Sequence, residues 1–319
     1  MFPLHTQSFL RTGLLLLSVL SVFSFSPVPV LAREYTQIVV ISDLHYPTKT
    51  RKKALRQEKI RNKEAALADI NQWPDVDLCV LTGDMVQRTG ERLDERVVRN
   101  FLDGLHHPVS FLAGNHEIMY EGLPTLPGTL RKGDAGTRFA HLMEYQWNFG
   151  SLYHSQDLAG YHLVFLSPDC MTSPYAVELS PNQLSWLQQD LAAHRHQPTL
   201  IFCHAPLTGT MLPGSKLDTP WNYTQPADPI RQLLVQTPQV ILWVSGHTHT
   251  PPKSRNFISS LHWIPGTSTW NVYCPTWDGD QAWTQSLLLY PDRVIIRTYD
   301  HKKGQWMKKK EETVKVPQV

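Results

Sequence analysis

The chain has 319 residues and a formal charge of +2, with 41% of its residues hydrophobic and 18% charged. That length holds one large domain or two average ones, with ample core for either, and the composition is ordinary for a globular protein. So small a net charge gives no general pull toward nucleic acid or a membrane surface. The 15 histidines are more informative, because histidine is the commonest metal ligand and a frequent acid–base group.

Residues 1–32 read as a targeting segment. Arg11 precedes an apolar stretch over 13–25, Pro27 and Pro29 follow, and Val30-Leu31-Ala32 fits the small-residue pattern of a signal-peptidase site. Cleavage is expected after Ala32, leaving one domain over 33–319. The stretch is short of the about 20 apolar residues of a membrane span, so no stable span is expected after removal, an uncleaved anchor being the alternative. Without an Arg-Arg pair the signal reads as Sec-type, and the expected location is exported, periplasmic or secreted.

The elements then follow in order. Strands are expected over 35–42, 77–82, 108–113 and 161–167, and helices over 53–73 and 91–105. A further helix starts at Ser180, with Pro181 at its first position and Gln183 completing a capping box, and runs to about residue 194. Helix and strand alternate here, which implies a sheet with helices outside. Two closing strands, 286–290 and 293–299, turn at Pro291-Asp292 and suggest a second sheet packed on the first. Irregular stretches over 120–136 and 207–228, the latter containing Pro213, read as substrate-binding loops or as surface excursions. Cys79 and Cys203 read as core residues, while pairing of Cys170 with Cys274 stays open. Eight basic residues between 49 and 63 (Lys49, Arg51, Lys52, Lys53, Arg56, Lys59, Arg61 and Lys63) read as a solvated helix face rather than an anion-attracting patch.

Five apolar runs each end in metal-ligand residue types. They close on Asp43-Leu44-His45, on Gly83-Asp84, on Gly114-Asn115-His116-Glu117, on Cys203-His204 and on Gly246-His247-Thr248-His249. Runs of this kind read as buried strands, and in open α/β sheets ligands bind beyond the carboxyl ends of strands. Asp84 offers a carboxylate able to bridge two cations, Asn115 an amide oxygen, and the histidines imidazoles. Two metals about 3.5–4 Å apart can hold a hydroxide and clamp the oxygens of a displacement at phosphorus.

This series resembles the calcineurin-like metallophosphoesterase superfamily over residues 37–266. The resemblance implies a four-layer α/β/β/α sandwich of two mixed β-sheets, with the metal site at the C-terminal ends of strands. It implies that Asp43, His45, Asp84 and His249 bind one metal and that Asp84, Asn115, His204 and His247 bind the other. His116 is then the non-ligand histidine that protonates the leaving group or stabilises the transition state. Purple acid phosphatases carry a tyrosine where this chain has Gln87, so a tyrosinate-coloured iron site is not expected. Protein Ser/Thr phosphatases carry Asp-Arg-Gly where this chain has Gln87-Arg88-Thr89, and Arg88 reads as an exposed loop residue. Nitrogen and oxygen ligands leave the two divalent ions open among Mn, Fe and Zn. The expected activity is hydrolysis of a small anionic phosphate ester, with no clear nucleic-acid or protein partner. Diesterase or nuclease action, and a metal-binding scaffold without turnover, are the competing readings.

Overall fold

The computed structural model describes residues 33–123, 125–126, 128–211, 214–255, 257 and 262–317. The segment expected to be removed, 1–32, and Pro213 lie outside the described residues. Residues Glu34–Val319 make one compact unit. Among the described residues, no helix is long and apolar enough to cross a membrane.

The first sheet grows from β1 (Thr36–Ile41), β2 (Val76–Thr82) and β3 (Val109–Leu112), which are parallel. They are joined by α1 (Lys53–Asn71) and α2 (Arg92–Leu102). The short helix α3 (Asn115–Ile118), a hairpin of β4 (Tyr120–Gly122) and β5 (Leu130–Lys132), and α4 (Ala135–Phe149) follow. The second sheet comprises β6 (Tyr153–Leu158), β7 (Tyr161–Leu166), β8 (Thr199–Cys203), β9 (Val240–Ser245), β10 (His262–Trp263) and β11 (Trp270–Tyr273). Its helices are α5 (Pro181–Ala193), before β8, and α6 (Ala227–Gln236), before β9. The chain then returns through β12 (Trp283–Leu289), β13 (Arg293–Asp300), β14 (Gln305–Trp306) and β15 (Glu312–Lys315). The strand orders are β14-β13-β12-β1-β2-β3, with β15 also on β13, and β10-β11-β9-β8-β7-β6.

Alternation along each strand builds the layers. In β1, Ile38 and Val40 enter a cluster shared with Leu163, Phe165, Phe202 and Val244 of the second sheet. Val39 and Ile41 point the other way, onto Ala66 and Ile70 of α1 and Val98 of α2. Both faces of the strand are therefore covered, which is why it reads as an unbroken apolar run rather than an alternating one. The second sheet repeats the arrangement, with Val164, Ile201 and Trp243 against Leu187 of α5 and Ile230 of α6. Each such side chain contributes about 1.5–3 kcal/mol on burial. The result is the expected α/β/β/α sandwich of mixed sheets.

Three expectations are corrected and one open question is answered. The closing strands β12 and β13 extend the first sheet instead of forming a second one. β12 pairs antiparallel with the edge of β1 that β2 leaves open, with Val39 opposite Ser286, and an unpaired edge is a liability in a long strand. At α5 the Ser180 Oγ accepts the Gln183 amide at 3.2 Å, but the reciprocal half of the capping box is absent. The Ser180 N–H goes to Asp169 Oδ1 at 2.6 Å and the Gln183 side chain to Ser167 O at 2.9 Å, because a carboxylate is a stronger acceptor than an amide. Cys170 and Cys274, like Cys79 and Cys203, are free thiols. Finally, the basic run is not one solvated face. Lys52, Lys53 and Arg61 are exposed, whereas Lys63 is fully buried and paired with Asp278 at 2.7 Å. Burial pushes its ammonium down to about 8 against the pull of Asp278.

Candidate metal centre

Every candidate ligand follows the carboxyl end of a parallel strand. Asp43 and His45 come after β1, Asp84 after β2, Asn115 and His116 after β3, His204 after β8, and His247 and His249 after β9. The two sheets face each other with these ends on one edge. The backbone there leaves the strand abruptly: Asp43, His45, Asp84, His247 and His249 have φ of 49°, 42°, 51°, 63° and 49°. Among the described residues, only Ala159 is another non-glycine in that left-handed region. Each such residue costs about 1–3 kcal/mol and persists only where its surroundings over-determine it.

Those surroundings are hydrogen bonds between the turns. The His45 N–H donates to Asp84 O at 2.9 Å, the His116 N–H to Asp84 Oδ1 at 2.8 Å, and the His247 N–H to Asp43 Oδ2 at 3.0 Å. Gly83, at φ +88°, lets the ends of β2 and β3 close up, since a Cβ there would lie 2.5 Å from the Gly114 nitrogen.

Two groups of ligand atoms result. Asp43, His45, Asp84 and His249 form one, and Asp84, His204 and His247 the other, with the atoms of each group within 4.8 Å of one another. Asp84 belongs to both. His249 Nε2 lies 3.1 Å from Asp43 Oδ1, His45 Nε2 3.6 Å from Asp84 Oδ2, and His204 Nε2 3.3 Å from Asp84 Oδ1. Asp43 Oδ1, Asn115 Oδ1, His204 Nε2 and His247 Nε2 are nevertheless buried without a hydrogen-bond partner. Buried polar atoms are almost always satisfied, so four orphans among these oxygens and imidazole nitrogens fit a cation, and the donor set fits a divalent one. The opposite nitrogens are anchored. His204 Nδ1 meets Thr82 O at 2.7 Å and His45 Nδ1 meets Val86 O at 3.3 Å, which turns each Nε2 inward.

The electrostatics are those of opposed charges in a dry site. Burial alone would raise both carboxyls, but His249 brings Asp43 below its usual range and His204 brings Asp84 well below. Burial works against the His204 imidazolium, yet Asp84 overrides it and lifts that ring to about 9. Burial, reinforced by His204, takes His247 down to about 3. His116 stands just outside the ligand groups. Its Nδ1 donates to Arg88 O at 2.7 Å, and its Nε2 lies 4.0 Å from Asp84 Oδ2. Burial holds it at about 4, with Asp84 opposing.

Two residues named in the sequence reading do more than it assigned them. Glu117 takes four backbone N–H groups on one carboxylate: Asp84 at 2.8 Å, Met85 at 2.6 Å, Val86 at 2.9 Å and Gly114 at 2.7 Å. It thereby fixes the turns after β2 and β3 together, and its place directly after Asn115-His116 is the signal that pointed to it. Lys49, four residues after His45, brings Nζ within 3.0 Å of His45 Nε2 and 3.3 Å of His116 Nε2. A third group, Asp157, His162 and His194, lies at the other end of the second sheet. A cavity of about 240 Å³ lined by Leu207, Ile230, Arg231 and Leu234 includes none of the candidate ligands.

Comparison with known proteins bears on the fold and the family. A dimetal phosphatase from Danio rerio is structurally similar, with a TM-score of 0.60 and 14% identity over 88% of this chain and 99% of that one. A purple acid phosphatase from yellow lupin (Lupinus luteus) seeds gives a TM-score of 0.55 and 14% identity, over 88% of this chain and 54% of that one. A search of curated protein sequences finds no match. The family profile described as calcineurin-like phosphoesterase matches residues 36–251, and the chain belongs to that family.

Proposed function

We propose that this chain hydrolyses small anionic phosphate esters with two divalent metal ions, drawn from Mn, Fe and Zn. Asp43, His45, Asp84 and His249 would hold one ion, and Asp84, Asn115, His204 and His247 the other. The observation that supports this reading is a pair of ligand groups sharing Asp84, beside four buried atoms, Asn115 Oδ1 among them, that have no hydrogen-bond partner. Bound there, such ions would supply Lewis acidity toward phosphate oxygens and lower the pKa of a water molecule.

The chain's own residues do the rest. Anchored Nδ1 atoms orient His45 and His204, and burial excludes bulk water, which strengthens every charge interaction in the site. His116, held through Nδ1 by Arg88 O, presents Nε2 to the same face and acts on the leaving oxygen. Burial holds its ring well below the ordinary imidazole range, with Asp84 opposing. Export with cleavage after Ala32 belongs to the same reading, supported by the Arg11-to-Ala32 pattern. N-terminal sequencing that found Met1 on the exported protein would overturn it.

The decisive experiment is a panel of mono-, di- and pyrophosphate esters assayed with Mn²⁺, Fe²⁺ and Zn²⁺. Turnover that depends on added metal is expected. Two bound metals per chain without turnover of any ester would replace the hydrolase reading with a scaffold.

A further inference from the structure

We propose that Lys49, backed by Arg51 and Arg88, is a substrate-binding cation that selects dianionic phosphoryl groups, and hence monoesters over diesters. The inference rests on the phosphoester-hydrolase reading above and names its substrate class. Lys49 Nζ stands on the face where His45 and His116 meet, at 3.0 and 3.3 Å from their Nε2 atoms; a metal taking the His45 lone pair would release the first contact and leave the ammonium beside His116, free to meet an anion. Its backbone is held from two sides. The Lys49 N–H donates to Asp278 Oδ2 at 3.2 Å, and the Arg88 guanidinium donates to Lys49 O at 3.4 Å. Arg51 and Arg88 both donate to the Gly128 carbonyl. Arg88 also offers its own carbonyl to His116, so the three cations and His116 form one connected wall.

What these three side chains lack is a paired carboxylate. Among the described residues, none of the three cations makes an ion pair with a carboxylate; their partners are carbonyls and imidazoles. Three cationic side chains with no carboxylate paired to any of them can each give charge-assisted hydrogen bonds to an anion that reaches them. A phosphomonoester carries about −1.5 to −2 at pH 7, whereas a diester carries one negative charge. An additional cation therefore favours the monoester on charge alone. Lysine suits this position because it meets a phosphate as a compact point charge without demanding a planar partner. A surface lysine merely folded back onto two imidazoles would discriminate between neither ligand nor substrate.

The test compares the Mn²⁺-loaded full chain with Lys49→Gln and Lys49→Arg. Calorimetry measures binding of orthophosphate and of monoanionic dimethyl phosphate, elemental analysis gives metal content, and turnover is read on matched aryl mono- and diesters. Lys49→Gln should bind orthophosphate about 10–100-fold more weakly, with a clearly smaller change for dimethyl phosphate, an unchanged metal content and a fallen monoester-to-diester ratio. Lys49→Arg should recover most of the loss. Equal weakening toward both anions, a change below about 3-fold, or loss of metal in Lys49→Gln would overturn the assignment. Lys49-dependent orthophosphate binding without turnover of any ester would sink the hydrolase reading and leave the anion site standing.

Discussion

Two clusters of histidine and aspartate sit at opposite ends of the second sheet, built from the same residue types and wired in opposite ways. Near the start of β7, His162 has both ring nitrogens engaged, Nδ1 with Asp157 Oδ1 at 2.9 Å and Nε2 with Asp190 Oδ2 at 2.8 Å. His194 stacks on that ring at 3.7 Å between centroids. Its backbone is regular strand, and Asp157 is simply its cross-strand partner. Burial opposes charge on His162, but the two carboxylates outweigh it and raise the ring above its ordinary 6.5. At the other end, ligand-type atoms crowd together, Asp43, His45, Asp84, His247 and His249 on left-handed backbone, and four atoms find no hydrogen-bond partner. A cluster that satisfies itself with protons is a fastener between β6, β7 and α5. One that cannot do so, and is held in strain by its surroundings, is built for something not in the chain.

The sharpest break of this comparison is at the shared carboxylate. Asp84→Asn removes the charge common to both ligand groups, so elemental analysis should show loss of metal from both and turnover should fall by at least about 10³-fold. His162→Gln should leave metal content unchanged. A one-metal wild type at saturation would end the dinuclear assignment.

His116→Gln should cost about 10²–10⁴-fold in turnover while the metals stay. The loss should shrink for esters with good leaving groups, which depart without a proton. Equal losses for good and poor leaving groups would remove His116 from the acid role.

Glu117→Ala tests whether the strain is imposed by the frame. Four backbone N–H groups lose their acceptor, so metal affinity should weaken by about 10–100-fold, as for other residues that orient ligands from behind. Metal titration of the variant checks this, and an unchanged affinity would show that the turns hold themselves.

The smallest effect belongs to the fastener. Because the folded-state pKa of His162 is raised, its contribution to stability is fully present below the unfolded value near 6.5. It is lost as pH rises through the raised value. Chemical denaturation of the wild type should therefore show this decrement on raising the pH above 6.5, and His162→Gln should lack it. A decrement that persists in the variant would assign it elsewhere.

Much of the site was legible because its residues lie at fixed places after strands that announce themselves. Asp43, His45, Asp84, Asn115, His116, His204, His247 and His249 all stand where apolar runs stop, and the structure brings all of them to one edge. The starts of β1, β2, β7 and α5 fell within a residue or so of expectation. Weak or short patterns failed instead. β14 and β10 are two residues each, and the hairpin of β4 and β5 lay inside a stretch read as irregular. Lys63 looked like its solvated neighbours because periodicity on α1 does not reveal that Asp278, 215 residues later, waits beneath it.

The sequence by itself determined the strand-end candidate ligands, the alternation of helix and strand, and the resemblance to the family, because each is written in short segments whose spacing is local. Tertiary structure alone decided which sheet the last strands joined, which lysines were buried, that Glu117 clamps two turns and that Lys49 reaches His116. Those outcomes depend on which edge is open and which charges meet once distant segments pack, and no local spacing carries that information.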